Sequence, residues 1–244
     1  MSQFAKNTLV VVSHYNARAK EDLQLLLNQL KPLAPHILVV INDDNHHGPV
    51  EFLSDMPTPC LRRTNTGMNI GGWNEAFQER PDFEHYIFLQ DECRIVDNDF
   101  LAVYEDRLKA PEIGMIGESL NPQWSRPWAE ITSSALNYPV QITPGSPAMM
   151  RTAFIIGCLQ NWSISPGPTG AHLRALVWAF RRDMLFKIKA FPMGRNKEEC
   201  IAAEIGTSKL VEQHGGHIAQ VGSVPFEYIQ HKERRVDGKK LLNQ

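Results

Sequence analysis

The chain has 244 residues, 43% hydrophobic and 21% charged, the balance of a globular protein rather than a disordered or fibrous one. A formal net charge of −2 argues against a general nucleic-acid binder, and no apolar run of about eighteen residues is present to cross a membrane. Cys60, Cys93, Cys158 and Cys200 follow no CxxC spacing, so reduced thiols in a cytoplasmic protein are expected, with neither a zinc site nor a disulfide framework.

The N-terminal residues lead into a first strand without the apolar core of a signal peptide. That strand, 9–12, is followed by Ser13-His14-Tyr15-Asn16. Leu23, Leu26, Leu27 and Leu30 then follow the i, i+3, i+4, i+7 rule, predicting an amphipathic helix over 18–30 that Pro32 and Pro35 stop. A second strand over 37–41 ends in Asn42-Asp43-Asp44-Asn45. A third, 86–89, ends in Gln90-Asp91-Glu92. Such short, unbroken apolar runs suit strands buried on both faces, and strand–helix–strand alternation predicts a parallel sheet. All three polar clusters would then leave the sheet at one edge, the side where open α/β sheets bind ligands.

Between the second and third strands lies Asn65-Thr-Gly67-Met-Asn69-Ile-Gly71-Gly72-Trp-Asn74, with a helix expected to begin near Gly72. Its glycines permit close backbone approach or positive φ, and its amides and helix N-terminus suit an anion such as a diphosphate. It has neither P-loop nor GxGxxG spacing. Further on, a helix is predicted over 99–108 and a short strand over 113–116. Residues 119–170, rich in Pro, Ser, Gly and Trp, read as a long functional loop. A strand over 175–180, a short helix over 181–188 and a helix over 197–214 complete the pattern, the last stopped by Gly215-Gly216.

Three acidic groups carry candidate chemistry. Asp43 and Asp44 would hydrogen-bond a base or ribose, although an Asx-turn closing the strand explains them equally well. Asp91 and Glu92 suit a hard divalent cation shared with substrate phosphates. Glu198 and Glu199 open a helix, where the macrodipole favours acids, and either could serve as a general base. His231 follows a short apolar pair near the end of the sequence.

Taken in order, these residues resemble the GT-A fold glycosyltransferases, particularly the inverting, family 2-like ones. Gln90-Asp91-Glu92 stands where that family has its DxD motif, and Gln90 replaces the first acid. The strand at 175–180, Arg181-Arg182 and Phe191 resemble the segment before the catalytic helix. Glu198-Glu199 resembles the acidic pair opening that helix, and His231 a terminal metal-binding histidine. The resemblance implies one α/β domain with a Rossmann-like, mainly parallel sheet and helices on both faces. Its nucleotide-sugar-binding half would span 1–118, its acceptor-binding half 119–231 and a charged tail 232–244.

The implied activity is hexosyl transfer from a nucleotide-sugar donor, of the kind used in polysaccharide biosynthesis. Tyr15, Asp43, Asp44, Asn65, Gly67, Asn69, Asn74, Gln90 and Asp91 would bind the donor. Glu92 and His231 would hold Mn²⁺ or Mg²⁺, and Glu199, with Glu198 as fallback, would be the base. The acceptor would be a carbohydrate or lipid-linked hydroxyl. The basic tail reads first as a solvated end and second as a contact with an anionic inner membrane face. A sugar-nucleotide nucleotidyltransferase and a non-catalytic nucleotide-sugar-binding protein on the same fold are the alternatives.

Overall fold

A computed structural model describes residues 2–44, 58–142 and 145–232. Asn45 and the tail beyond Lys232 lie outside the described residues. In chain order the elements are α1 (Gln3–Lys6), β1 (Thr8–Tyr15), α2 (Glu21–Leu30), β2 (Ile37–Asp43), β3 (Cys60–Thr64), α3 (Met68–Glu79), β4 (His85–Gln90) and β5 (Cys93–Ile95). There follow α4 (Phe100–Leu108), β6 (Ile113–Gly117), α5 (Trp128–Thr132), β7 (Pro139–Val140), β8 (Met149–Met150) and α6 (Arg151–Asn161). The chain continues through β9 (Val177–Arg181), α7 (Arg182–Ile188), α8 (Lys197–Gln213), β10 (His217–Gln220) and β11 (Ile229–His231).

A seven-stranded sheet runs in the order β10-β6-β9-β4-β1-β2-β3. The expected parallel arrangement holds for β4, β1, β2 and β3, whereas β9 enters antiparallel between β4 and β6. Alternate side chains of the central strands feed two cores. Val10, Val12, Val39, Ile41, Ile87 and Leu89 meet the leucine stripe of α2 and Phe100, Leu101 and Tyr104 of α4. Leu9, Val11, Leu38, Val40, Tyr86 and Phe88 meet Trp73 and Phe77 of α3 together with residues of α7 and α8. Burial on both faces is why these strands contain no polar alternation. At about 25 cal/mol per Å², burying aliphatic and aromatic groups of this size contributes roughly 1.5–3 kcal/mol each.

The predicted loop 119–170 is not structureless. It carries α5, the β7–β8 ribbon and α6, whose Ile155 and Leu159 pack with Trp124, Ile131, Ala202 and Ile205 in a third cluster. The helix expected near Gly72 starts at Met68, behind Gly67 at φ 76°. Gly71 and Gly72 lie inside that helix for a packing reason: a Cβ on Gly71 would stand 2.0 Å from the Thr66 carbonyl oxygen.

Candidate active site

Register places the polar strand ends side by side: Ser13 opposes Gln90 on β4 and Val40 on β2, and Tyr15 opposes Asn42. The Asn42 amide donates to Ser13 Oγ at 2.7 Å, and that hydroxyl donates to Asn69 Oδ1 at 3.1 Å. Arg63 is buried and locks the start of α3. It donates to Asn42 Oδ1 at 2.7 Å, to the Thr66 carbonyl at 2.8 Å and to Glu75 at 2.6 Å. Asp43 is buried and paired with Arg62. Exposed Asp44 accepts the Tyr15 hydroxyl at 2.5 Å, a bond that raises the pKa of the phenol. Asn65 lies between β3 and the turn that opens α3. Asn74 turns the other way, accepting the Phe191 N–H at 3.1 Å inside the core.

The end of β4 separates its three polar residues. Gln90 donates to the Ala175 carbonyl at 2.7 Å. Buried Asp91 accepts from His14 Nδ1 at 2.5 Å. Glu92 faces a cluster of cations assembled by a second, two-stranded sheet. In it, β11 pairs antiparallel with β5, His231 opposite Cys93, and the Lys232 N–H donates to the Glu92 carbonyl at 3.0 Å. That pairing sets His231 Nε2 at 3.5 Å from Glu92 Oε2 and Lys232 Nζ at 2.5 Å from Oε1. Arg18, from the turn after β1, pairs with Oε2. Burial by itself would raise the Glu92 carboxyl, but hydrogen bonds from His231 and Lys232 and the charge of Arg18 outweigh it and hold the pKa near 2. Beside it, Asp22 of α2 joins Arg94 and Lys232.

These donors bear directly on a resident Mn²⁺ or Mg²⁺. Glu92 and His231, the expected ligands, do come together, but both Glu92 oxygens already carry cationic partners. Gln90 supplies no charge, and Asp91 is committed to His14. Among the described residues no group of three or more His, Cys, Asp or Glu could hold a metal ion. As arranged, the cluster does not fit a resident divalent cation, which needs carboxylate charge that is not already neutralised.

The helix α8 brings in the acidic pair. Asn196 caps it, its side chain accepting the Glu199 N–H at 3.0 Å. Glu199 turns back past the cap to accept the Arg195 N–H at 2.7 Å, and it also receives the Arg195 guanidinium at 3.2 Å. Burial would raise its carboxyl, yet these bonds prevail and lower it. Glu198 accepts from Arg151 Nε at 2.8 Å and lies 3.4 Å from the Tyr138 hydroxyl. A cavity of about 190 Å³ opens between the first turn of α3, Gln90, Ala175 and α8, which presents Lys197, Cys200, Ile201 and Glu204 to it. Glu204 accepts the Ala175 N–H at the cavity wall.

The structure thus gathers Tyr15, Asp43, Asp44, Gly67, Asn69, Gln90, Asp91, Glu92 and His231 along one sheet edge, and leaves Asn74 in the core. Sequence reasoning did not single out Arg18, Arg195 or Glu204 and placed Lys232 in a solvated tail. Only Arg18 carried a signal, its place directly after the first polar cluster. Arg181 is structural, donating to the carbonyls of Leu108, Ala110 and Ile113 at 2.8–3.1 Å.

No protein-family model matches the chain, and no curated protein sequence matches it either. Solved structures do. Glucosyl-3-phosphoglycerate synthase from Mycobacterium tuberculosis, in complex with phosphoglyceric acid, superimposes with a TM-score of 0.52 at 11% identity, covering 96% of this chain and 77% of that one. The mannosyltransferase PcManGT from Pyrobaculum calidifontis, in complex with GDP-Man and Mn²⁺, gives 0.51 at 13% identity over 87% of this chain and 53% of its own. GalNAc-T7 with UDP, GalNAc and Mn²⁺ gives 0.51 at 12% identity, with 87% and 44% covered. The chain therefore spans about half the length of the last two. At such low identity the likeness speaks for architecture, and together with the 3-2-1-4 parallel core, the antiparallel β9 and the small β5–β11 sheet it identifies the chain as a GT-A fold protein.

Proposed function

We propose that the protein is a glycosyltransferase that moves a sugar, a hexose in the simplest case, from a nucleoside diphosphate to an acceptor hydroxyl with inversion. The observation that carries this reading is convergence: the polar ends of β1, β2 and β4, the first turn of α3, the start of α8 and the β11 strand all meet at one sheet edge. Asp43 and Asp44, with Tyr15, receive the base. Asn65, Gly67, Asn69 and Gln90 border the ribose and diphosphate, whose charge suits the N-terminus of α3, while buried Asp91, expected to contact the donor, holds His14 behind them instead.

In the reaction the acceptor oxygen bonds to the anomeric carbon as the bond to the diphosphate breaks, and the diphosphate leaves with the electron pair. Glu199 takes the acceptor proton. Its partner Arg195 has a side chain 83% exposed, so an incoming hydroxyl displaces a solvent-facing ion pair, which is worth little. Glu198, held by Arg151, is the fallback base. Residues 119–170 shape the acceptor side and exclude water that would hydrolyse the donor. Two of the similar structures contain Mn²⁺. The four free cysteines suit a cytoplasmic setting, and a carbohydrate or lipid-linked hydroxyl suits the acceptor side.

Hydrolysis or transfer from a panel of UDP-, GDP- and dTDP-sugars tests the reading. Glu199→Gln is expected to lower turnover by roughly 10²–10⁴-fold while nucleotide affinity is kept. Glu204 lines the cavity beside Gln90, so loss of turnover in Glu204→Gln with activity kept in Glu199→Gln would move the base to Glu204. Nucleotide binding without turnover of any donor in the wild type would sink the catalytic reading.

A further inference from the structure

We infer that the donor diphosphate is neutralised by the chain's own cations, Arg18 and Lys232, and that Glu92 is a positioning residue for them rather than a metal ligand. This rests on the proposed nucleotide-sugar site. The two cations come from distant parts of the sequence, the turn after β1 and the residue after β11, and converge on one carboxylate. Glu92 has a side chain only 6% exposed, whereas Arg18 and Lys232 are 50% and 46% exposed. Each cation is therefore anchored at its inner side and open to solvent on the other. Lys232 uses two partners, Glu92 and Asp22, and an ammonium has three protons. Arg18 spends one terminal nitrogen on Glu92 and has further donors in its fork.

The charge count favours the same role. Arg18, Arg94 and Lys232 stand against Asp22 and Glu92, with Asp91 turned away to His14. Within the ion-pair cluster itself three cations thus meet two carboxylates at the end of β4, beside the first polar turn after β1. A divalent ion would have to displace both cations from the one carboxylate available to it. A diphosphate instead meets an arginine fork and an ammonium already oriented, so little side-chain entropy is lost on binding. When the glycosidic bond breaks, the charge developing on the leaving phosphate is met by these two groups.

Calorimetric binding of UDP, GDP, dTDP and ADP, in EDTA and in Mn²⁺, tests this. The wild type is expected to bind at least one of them in EDTA, with less than a twofold change on replacing EDTA by Mn²⁺. Arg18→Gln and Lys232→Gln should each weaken that binding by about tenfold or more, as loss of a charged hydrogen bond does. Each should also flatten the dependence of log Kd on log salt. Glu92→Gln should weaken binding in EDTA as well, with the circular dichroism spectrum unchanged; both cations are half exposed, so their variants are expected to fold. Binding that requires Mn²⁺, or that Mn²⁺ tightens more strongly in Arg18→Gln and Lys232→Gln than in the wild type, would overturn the inference and leave the nucleotide site standing. No binding of any nucleotide in either buffer would overturn the site itself and the inference with it.

Discussion

Glu118, the residue after β6, makes stability fall as pH rises through neutrality. Its side chain is buried, with the Tyr104 hydroxyl donating to Oε1 at 2.6 Å and the Tyr228 N–H to Oε2 at 3.2 Å. Burial raises the carboxyl to about 7, and the Tyr104 and backbone hydrogen bonds only partly oppose it. Because the folded value lies above the unfolded one, the folded state binds the proton more tightly. The stabilisation is complete below about pH 4.5 and is lost as pH rises through 7. That displacement corresponds to about 3 kcal/mol, most of it lost between pH 5 and pH 8.5. Glu118→Gln removes the titration and keeps the shape. Its amide offers one acceptor oxygen to two donors, a pH-independent cost, so the informative quantity is the change in the difference between the two proteins. Urea unfolding at pH 5 and pH 8.5 should show wild type losing about 2–3 kcal/mol relative to the variant. Parallel curves at both pH values would refute the reasoning. The Glu118 carbonyl also accepts the Phe226 N–H at 3.0 Å, so this group anchors the segment that leads to His231 and Lys232.

Buried His172 works in the opposite direction. Burial lowers it to about 4, so its contribution is present above pH 6.5 and is lost as pH falls toward 4, and His172→Gln should soften acid unfolding. Gly71→Ala forces a methyl against the Thr66 carbonyl and should cost about 1–3 kcal/mol by calorimetry; a cost under about 0.5 would show that the turn yields freely. Asp91→Ala removes the acceptor of the buried His14 N–H and should cost about 1–3 kcal/mol in urea unfolding, with Asp91→Asn costing less. In a native thiol titration Cys60, exposed, should react first. Cys158 and Cys200, raised by burial to about 11, should lag, and buried Cys93 should react only on unfolding.

The strands at 9–12, 37–41 and 86–89 were legible because burial on both faces leaves an apolar run that ends where the sheet ends. The same logic located Tyr15, Asp43, Asp44 and Glu92 on one edge. β9 could be read as a strand but not as an antiparallel insertion, since its direction is set by the long excursion through α5 and α6. The start of α3 was misplaced because Gly71-Gly72 look like helix breakers, whereas their missing side chains admit Thr66 and Asn42. Arg18 and Lys232 escaped notice for a more general reason. Ion pairs joining residues 74 positions apart, as Arg18 and Glu92 are, leave no local pattern in a sequence.

The β5–β11 pairing imposes a timetable on synthesis. Glu92 leaves the ribosome long before the strand that supplies His231 and Lys232, by on the order of ten seconds at ordinary elongation rates. During that interval a nascent chain can own the parallel core and the first turn of α3, yet its corner at β4 has only one of its two anchored cations. A half-made protein therefore holds Glu92 with Arg18 alone, and the ion-pair cluster is complete only when the late strand has docked.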